Sequence, residues 1–375
     1  MTALWPLSIN ASSSTRQSAM CWPAWWSAGG PNGSSRTIWE AAICGMPAAP
    51  RARICSKPSL STPEKCEMRC RVRMARADDL GSLLDLAALT GGGMTNLPQH
   101  EGAMTAKIAA SEKSCAARID APVDEFYLFV LEERGSGRIM GTASVHSCIG
   151  ADLPFFSFRQ SRETHVSRSR GHRHSAWVLH LVNDFDGCAE VGGLFLHPEA
   201  RSGGFGGLLG RSRYLFISQH RVRFGERIIA DLRGWTDNGV SPFWDAVGRH
   251  FFGGAFHDAD HANAVHGNLF VTELLPRHPI YVDLLPLAAQ QVIGRPHDNS
   301  LPARAMLLKE GFEDGGYVDI FDAGPTLFAP IDRLASIRNA ARSDAGTLML
   351  ATAPGCALIA RGTGQDFTVA LKQPL

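Results

Sequence analysis

The chain has 375 residues, of which 45% are hydrophobic and 19% charged, and its formal net charge at pH 7 is +1. This composition is typical of a globular protein with one large domain or two smaller ones. The balanced charge does not indicate a nucleic-acid or membrane partner, and no apolar run is as long as a membrane span. The nine cysteines form no CxxC pair, which favours reduced thiols in a cytoplasmic protein over a disulfide framework or a zinc site.

Residues 1–67 differ in composition from the rest of the chain. They hold five of the eight tryptophans and show no sustained helical or alternating period. They lack the basic start and apolar core of a signal peptide. We interpret them as a disordered extension or as sequence translated upstream of a start at Met68; a regulatory or targeting extension is the alternative.

The elements that follow Met68 can be read from their apolar periods. Residues 69–74 predict a strand, and the leucines over 80–87 predict a helix capped by Asp78 and Asp79. The next elements are a helix over 101–112, a hairpin over 126–132 and 139–146, and a strand over 177–183. Between the last two, residues 155–177 are irregular and rich in Arg and His. We interpret them as a solvated loop; a basic rim that attracts phosphates is the alternative.

The most informative stretch covers residues 190–217. Residues 191–196 predict a buried strand that ends before Pro198, and a helix with apolar residues at helical spacing follows. Between them, residues 201–207 form a glycine-rich turn. Such a turn suits a phosphate ligand, because glycine lets the ligand approach the first N–H groups of the helix, which have no partner within it.

The pattern Arg201-x-x-Gly204-x-Gly206 resembles the pyrophosphate-binding turn of the GCN5-related N-acetyltransferase superfamily, whose ligand is an acyl-coenzyme A. An ordinary strand–helix connection is the alternative, whereas the Rossmann order Gly-x-Gly-x-x-Gly is absent from the turn. The order of the predicted elements is also that of this superfamily. The resemblance implies an α+β fold, with a mixed and mostly antiparallel sheet flanked by helices.

The second half of the chain continues this order. Ser241 as N-cap and Pro242 at the first position predict a helix start, and Gly311 predicts the end of a helix over 302–312. Further strands are predicted over residues 228–233, 268–275 and 317–321. After residue 330 we expect a C-terminal β-rich extension, with a helix over 331–342 and strands over 347–351 and 356–360.

An ordered series of motifs makes the resemblance more specific. From Met68 to about Arg342, the chain resembles the arginine N-succinyltransferase family. The motifs are TGGGMTNLP (90–98), LVNDF (181–185), EVGGLFLHPEAR (190–201), ADLRGWTD (230–237), SPFWDAVGRHFF (241–252), TELLPRHPIYVDLLP (272–286), VIGRPH (292–297) and GYVDIFDAGPT (316–326). The sequence departs from the family pattern in three places. Residues 1–67 have no counterpart in the family, the basic stretch 160–175 is unlike the usual segment, and the C-terminal tail looks shortened. We therefore expect an acyltransferase domain over 68–330 and a tail over 331–375.

The family resemblance implies arginine catabolism by transfer of succinyl from succinyl-CoA to the α-amine of L-arginine. Succinyl-CoA is then a co-substrate, and no cofactor is bound permanently. By resemblance, Leu194 lies at the succinyl-CoA contact through its backbone or by packing, with Arg201, Gly204 and Gly206 at the pyrophosphate. An acceptor such as ornithine, acetyl-CoA as donor, and a non-catalytic CoA-binding subunit stay open, as does the choice between a homo- and a hetero-oligomer.

The acceptor carries a guanidinium and a carboxylate, for which the sequence offers charged candidates. Asp231 and Glu273 could pair with the guanidinium and Arg233 with the carboxylate, since such pairs are often bidentate. Surface or structural ion pairs are the alternative. Four histidines and two aspartates between residues 250 and 266 match no firm metal-ligand spacing, so we expect a solvated loop and no metal site.

The expected catalytic residue is His297. Many members of the superfamily carry a tyrosine that protonates the leaving thiolate, four residues before a Gly-Phe pair. Here that position, before Gly311 and Phe312, is Leu307, which cannot donate a proton. His297 lies in the preceding loop, at the family's catalytic histidine. Histidine titrates near neutral pH and could serve the thiolate or the amine; a structural hydrogen bond is the alternative.

Overall fold

We describe the protein from a computed structural model. The structure describes residues 70–91, 94, 96–256, 259, 273–275, 277–343 and 346–372. Residues 1–67 and Met68 lie outside this part, so the interpretation of that segment stays a prediction. No helix of the described ranges is long and apolar enough to cross a membrane.

The described residues form one sheet of fourteen strands. The strands are β1 (Cys70–Met74), β2 (Phe126–Glu133), β3 (Ile139–His146), β4 (Ser157–Ser167), β5 (His172–Val182), β6 (Ala189–Leu196), β7 (Arg227–Asp231), β8 (Ile280–Tyr281), β9 (Glu313–Val318), β10 (Pro325–Pro330), β11 (Ala341–Arg342), β12 (Leu348–Ala353), β13 (Cys356–Arg361) and β14 (Thr368–Lys372). Their order in the sheet is β11-β12-β13-β14-β1-β2-β3-β6-β7-β10-β9-β4-β5-β8. Every neighbouring pair is antiparallel except β6 and β7, which are parallel.

Helices pack on both faces of the sheet. They are α1 (Leu80–Ala88), α2 (Glu101–Ala116), α3 (Phe205–Gln219), α4 (Pro242–Ala246), α5 (Gly248–Phe252), α6 (Leu287–Gln290), α7 (Leu301–Glu310) and α8 (Ala335–Asn339). Successive residues of β2 point to opposite faces. Leu128 and Val130 pack with α1 and α2, whereas Tyr127 and Phe129 pack in the core that contains α3.

The C-terminal strands continue this sheet. β14 pairs with β1, where Arg71 lies opposite Ala370. The strands predicted over 347–351 and 356–360 correspond to β12 and β13, and β14 is an additional strand. The predicted architecture is confirmed: a mixed, mostly antiparallel sheet flanked by helices, with extra C-terminal strands.

The prediction of a solvated loop over residues 155–177 is wrong. Most of this segment lies in a long hairpin, in which β4 and β5 pair from Ser157↔Val182 to Ser167↔His172. The outer half of the hairpin is largely exposed on both faces, so its sequence carries no apolar alternation. The inner half is held by pairing with β9 on one side and β8 on the other.

Two other predicted strands need correction. Of the strand predicted over 268–275, the described part contains residues 273–275, and Glu273 and Leu274 are helical there. The strand predicted over 317–321 begins earlier and ends at Val318. It ends because the carboxylate of Asp319 accepts backbone N–H groups of the next turn.

Candidate active site

The central feature of the site is the separation of β6 from β7. The two strands pair only at Ala189↔Ile228 and Glu190↔Ile229. Beyond these positions β6 stays paired with β3 as far as Leu196, while β7 stays paired with β10 as far as Asp231. The edge of β6 that faces β7 therefore has no strand partner among the described residues over 191–196, and the two strands enclose an open cleft.

A bulge in β6 shapes the wall of this cleft. Thr142 pairs with Phe195 and Ser144 with Gly192, so Gly193 and Leu194 together lie opposite one residue of β3. Gly193 has a φ of 58°, and a Cβ at that position would lie 2.9 Å from the Ser144 hydroxyl oxygen. Only glycine fits both the conformation and the space. The half-buried side chain of Leu194 packs against the core, which leaves its backbone as the group available to a ligand.

The glycine-rich turn lies at the end of β6, directly before α3. Gly204 is the N-cap of α3 with a φ of 75°, a conformation that favours glycine. The Nε of Arg201 donates to the Leu196 carbonyl at 3.3 Å, and its guanidinium lies 5.6 Å from the centre of the Phe195 ring. The α3 N–H groups without intrahelical partners are thus next to an arginine, which suits an anionic ligand.

A cavity of about 180 Å³ lies against this turn. Gly204 and Gly207 line one side, and Thr352, Leu358 and Leu371 of the C-terminal strands line the other. A Cβ at Gly206 would meet other atoms only at ordinary contact distances, so the protein's own packing does not require glycine there. The half-buried Arg211, one turn into α3, also lines the cavity and adds a positive charge that the sequence analysis missed.

Asp231 lies at the end of β7, where the cleft is open. Its Oδ1 accepts a hydrogen bond from the Thr326 hydroxyl on β10. Burial, with smaller contributions from the charges of Glu190 and Asp322, raises the pKa of Asp231 from 3.8 to about 7, although the hydrogen bond from Thr326 opposes the shift. Glu190 is the last residue of β6 that pairs with β7, so its charge acts on Asp231 from the point where the two strands diverge.

The loop after β7 brings Arg233 and His297 together. The backbone N–H of His297 donates to the carbonyl of Arg233 at 2.7 Å. The guanidinium of Arg233 lies 3.3 Å from Asp322 and 4.9 Å from the centre of the Phe256 ring. Asp322 also accepts the backbone N–H of Gly234 at 2.8 Å, so one buried carboxylate fixes the loop that holds His297.

The ring of His297 has a defined hydrogen-bonding direction. Its Nδ1 accepts the backbone N–H of Asn299 at 3.1 Å and caps the short helical turn Asp298–Ser300. A backbone N–H can only donate, so the neutral ring carries its proton on Nε2. In this arrangement His297 offers an N–H donor. Leu307, at the position of the usual tyrosine, is buried in the core and offers no proton.

The structure does not bring all the predicted acceptor residues together. Arg233 is already paired with Asp322. Glu273 is exposed and forms no hydrogen bond or ion pair with Asp231 within the described part of the chain. Of the histidine-rich segment considered for metal, residues 257, 258, 260, 261 and 266 lie outside the described residues.

A second cavity, of about 340 Å³, opens beside the start of β6 and was missed by sequence reasoning. It lies on the sheet face covered by α2. Its lining contains apolar and polar side chains, and both acidic and basic residues. The residues that line it are Asn96, Ala106, Lys107, Ala110, Asp124, Phe126, Ser144, His146, Glu190 and Gly192. The Nε2 of His146 lies 2.6 Å from Oδ1 of Asp124, and this pair forms one polar wall of the cavity.

The comparisons with known proteins agree with this geometry. A family model described as arginine N-succinyltransferase beta subunit matches residues 70–336. The chain belongs to the arginine N-succinyltransferase family. The matched range begins with β1 and includes β6, the glycine-rich turn, Asp231 and His297.

Several members of the arginine N-succinyltransferase family are similar over most of their length. The arginine N-succinyltransferase of Yersinia pseudotuberculosis serotype O:3 is 40% identical over 273 residues, which cover 72% of this chain and 78% of the relative. That of Escherichia coli O17:K52:H18 is 38% identical over 268 residues, which cover 71% and 78%. The solved structure of arginine/ornithine succinyltransferase subunit AI from Pseudomonas aeruginosa matches with a TM-score of 0.71 and 32% identity, over 82% of this chain and 89% of that chain. The predicted acyltransferase fold is thereby confirmed.

Proposed function

We propose that this chain transfers the succinyl group of succinyl-CoA to the α-amine of L-arginine, giving N2-succinylarginine and CoA. The observation that carries the proposal is the cleft between β6 and β7, with a bulge at Gly193 and the N-terminus of α3 at Gly204. Membership of the arginine N-succinyltransferase family supports the choice of donor and acceptor. Succinyl-CoA acts as a co-substrate, with no permanently bound cofactor.

We propose that succinyl-CoA lies along β6, from the turn after its C-terminal end toward Leu194. The pyrophosphate binds at the turn of Arg201, Gly204 and Gly206, close to Arg211. From there the pantetheine arm lies along the unpaired edge of β6, where a strand-like ligand can use the free backbone groups. The thioester carbonyl then accepts the N–H of Leu194. A fixed backbone donor aimed at the developing oxyanion is an effective contribution to acyl transfer.

His297 is the proposed catalytic residue. Because Nδ1 is occupied by Asn299, the neutral ring presents its Nε2–H to the reacting groups. We infer that it stabilises negative charge on the oxyanion or on the departing sulfur by hydrogen bonding. Full protonation is not required, since a thiol pKa of about 8.5 makes the thiolate a tolerable leaving group. The amine loses its proton to water or to a nearby carboxylate.

Asp231 and Glu190 are the proposed partners of the acceptor's positive charge. They lie where the strands diverge, and the charge of Glu190 disfavours ionisation of Asp231. A bound cation would remove that repulsion and favour the ionised form of Asp231. We therefore assign the cation to Asp231 with Glu190, in place of the predicted pair of Asp231 and Glu273.

A thiol-release assay with succinyl-CoA and a panel of amino-acid acceptors tests the proposal. We expect L-arginine to give the highest kcat/KM, and acetyl-CoA to replace succinyl-CoA poorly. Faster turnover with ornithine would assign a different acceptor to the same chemistry. Release of CoA at equal rates with and without every amine would contradict acyl transfer to an amine.

A second candidate is a CoA-binding subunit of a paired assembly. It is favoured by the description of the matching model as a beta subunit and by the solved relative being a subunit AI. A purified chain that binds CoA and turns over only after a second subunit is added would support this candidate. Reduced thiols persist in the cytoplasm, so the free thiols of Cys115, Cys148, Cys188 and Cys356 support a cytoplasmic location for either function.

A further inference from the structure

The second cavity is lined by the partly buried side chain of Lys107. Lys107 projects from α2 into this space, and its Nζ lies 5.0 Å from the centre of the Phe126 ring. Within the described part of the chain, it forms no hydrogen bond or salt bridge. Burial lowers the pKa of Lys107, and the charge of Glu190 only partly opposes this effect. A half-buried ammonium in this position is costly unless something anionic binds beside it.

Two neutral donors face the same space. The Nδ2 of Asn96 lies against β6, 2.7 Å from where a Cβ on Gly192 would be, and Ser144 lines the wall from β3. Neither side chain is hydrogen-bonded to another described residue. Gly192 lets Asn96 approach the strand, because any side chain there would displace it. One ammonium, one amide and one hydroxyl therefore converge on the cavity.

From this arrangement we propose that Lys107, Asn96 and Ser144 form a binding site for the carboxylate of a reactant. This inference rests on the proposed function. A monoanion fits better than a phosphate, because one lysine supplies the positive charge and the carboxylate of Glu190 is close by. The phosphates of CoA have their own proposed site at the other end of β6.

The position along β6 explains why a reactant's carboxylate would reach this site. Gly192 precedes Leu194 by two residues, a span of about 7 Å in a strand. The carboxylate of a succinyl group lies roughly 4 Å from its thioester carbon, from three C–C bonds of about 1.5 Å. The α-carboxylate of an amino acid lies even closer to the attacking amine. Both sources place a carboxylate within the reach of the Lys107 side chain.

Binding measurements that require no turnover test this site and identify the source. Calorimetry on the full chain compares succinyl-CoA with butyryl-CoA, and L-arginine with agmatine, because each pair differs mainly by a carboxylate. In Lys107→Met we expect affinity for the carboxylate-bearing member of one pair to fall about 10- to 100-fold, the usual range for a charge-assisted hydrogen bond. The other member should bind as before, and Lys107→Arg should retain much of the preference.

The control is Lys113→Met, which removes an exposed lysine from the same helix and should leave the affinity for all four ligands unchanged. If Lys107→Met loses affinity only for succinyl-CoA, the site binds the donor. If it loses affinity only for L-arginine, the site binds the acceptor. The proposal is overturned if wild-type protein shows neither preference, or if Lys107→Met weakens both members of each pair equally. A chain that binds with these preferences but never turns over would contradict the proposed function and leave the carboxylate site standing.

Discussion

The pKa of Asp231 leads to a quantitative prediction about stability. A carboxyl group whose pKa rises from 3.8 to about 7 on folding binds its proton more tightly in the native state. Stability from this group is therefore fully present below about pH 4 and is lost as pH rises toward 7. Each pH unit in that window costs about 1.36 kcal/mol, so the largest possible loss is about 4 kcal/mol.

Asp231→Asn removes the ionisation while keeping the shape. The amide oxygen can still accept the hydroxyl proton of Thr326. We expect the free energies of unfolding of the variant and the wild type to differ little near pH 4. The stability of the variant relative to the wild type should increase as pH rises. Near pH 8 the free energy of unfolding of the variant should be larger by up to about 4 kcal/mol.

Guanidinium unfolding followed by circular dichroism at a series of pH values measures this difference directly. Glu190→Gln is a matched control, since it removes the largest charge acting on Asp231 and should weaken the pH dependence. A stability difference between Asp231→Asn and wild type that stays constant from pH 4 to pH 8 would refute the reasoning. It would mean that Asp231 is ionised in the native protein at low pH.

Three further predictions concern the site and the N-terminus. His297→Ala should lower kcat by about 10²–10⁴-fold while succinyl-CoA still binds. The side-chain amide of His297→Gln can also donate a hydrogen bond, so steady-state kinetics should show a higher kcat for it than for His297→Ala if hydrogen-bond donation is the role of His297. Gly204→Val should raise the Kd for CoA, whereas calorimetry on Gly171→Val, at a φ of 60° in the β4–β5 turn several strands away from β6, should show unchanged CoA binding. A chain that starts at Met68 should remain soluble and active in the thiol-release assay, and loss of soluble protein would contradict the interpretation of residues 1–67.

Local sequence patterns were sufficient for the elements around the glycine-rich turn. The apolar run before Pro198, the glycines and the helical spacing after them predicted β6 and α3 in place. Ser241 and Pro242 likewise predicted a helix start, and the Ser241 hydroxyl accepts the N–H of Trp244 at 3.1 Å. These features depend on residues a few positions apart, so their physical causes are contained in short windows.

Elements whose stability comes from distant partners were predicted poorly. The β4–β5 hairpin has an exposed outer half and is anchored by β9 and β8, which follow it by about a hundred residues or more. The additional strand β14 exists because β1 and β13 both pair with it. An edge or exposed strand needs no apolar alternation, so the pattern that identifies buried strands is missing from its sequence.

The site divides in the same way. The sequence by itself determined the glycine-rich turn before α3 and, through family resemblance, pointed to Leu194 and His297. The tertiary structure alone decided that Arg233 pairs with Asp322, that His297 binds the loop after β7, and that Lys107 faces Glu190 across a cavity. These contacts join residues about 64 to 89 positions apart. Sheet order and strand divergence bring them together, and neither property is encoded in a local pattern of residues.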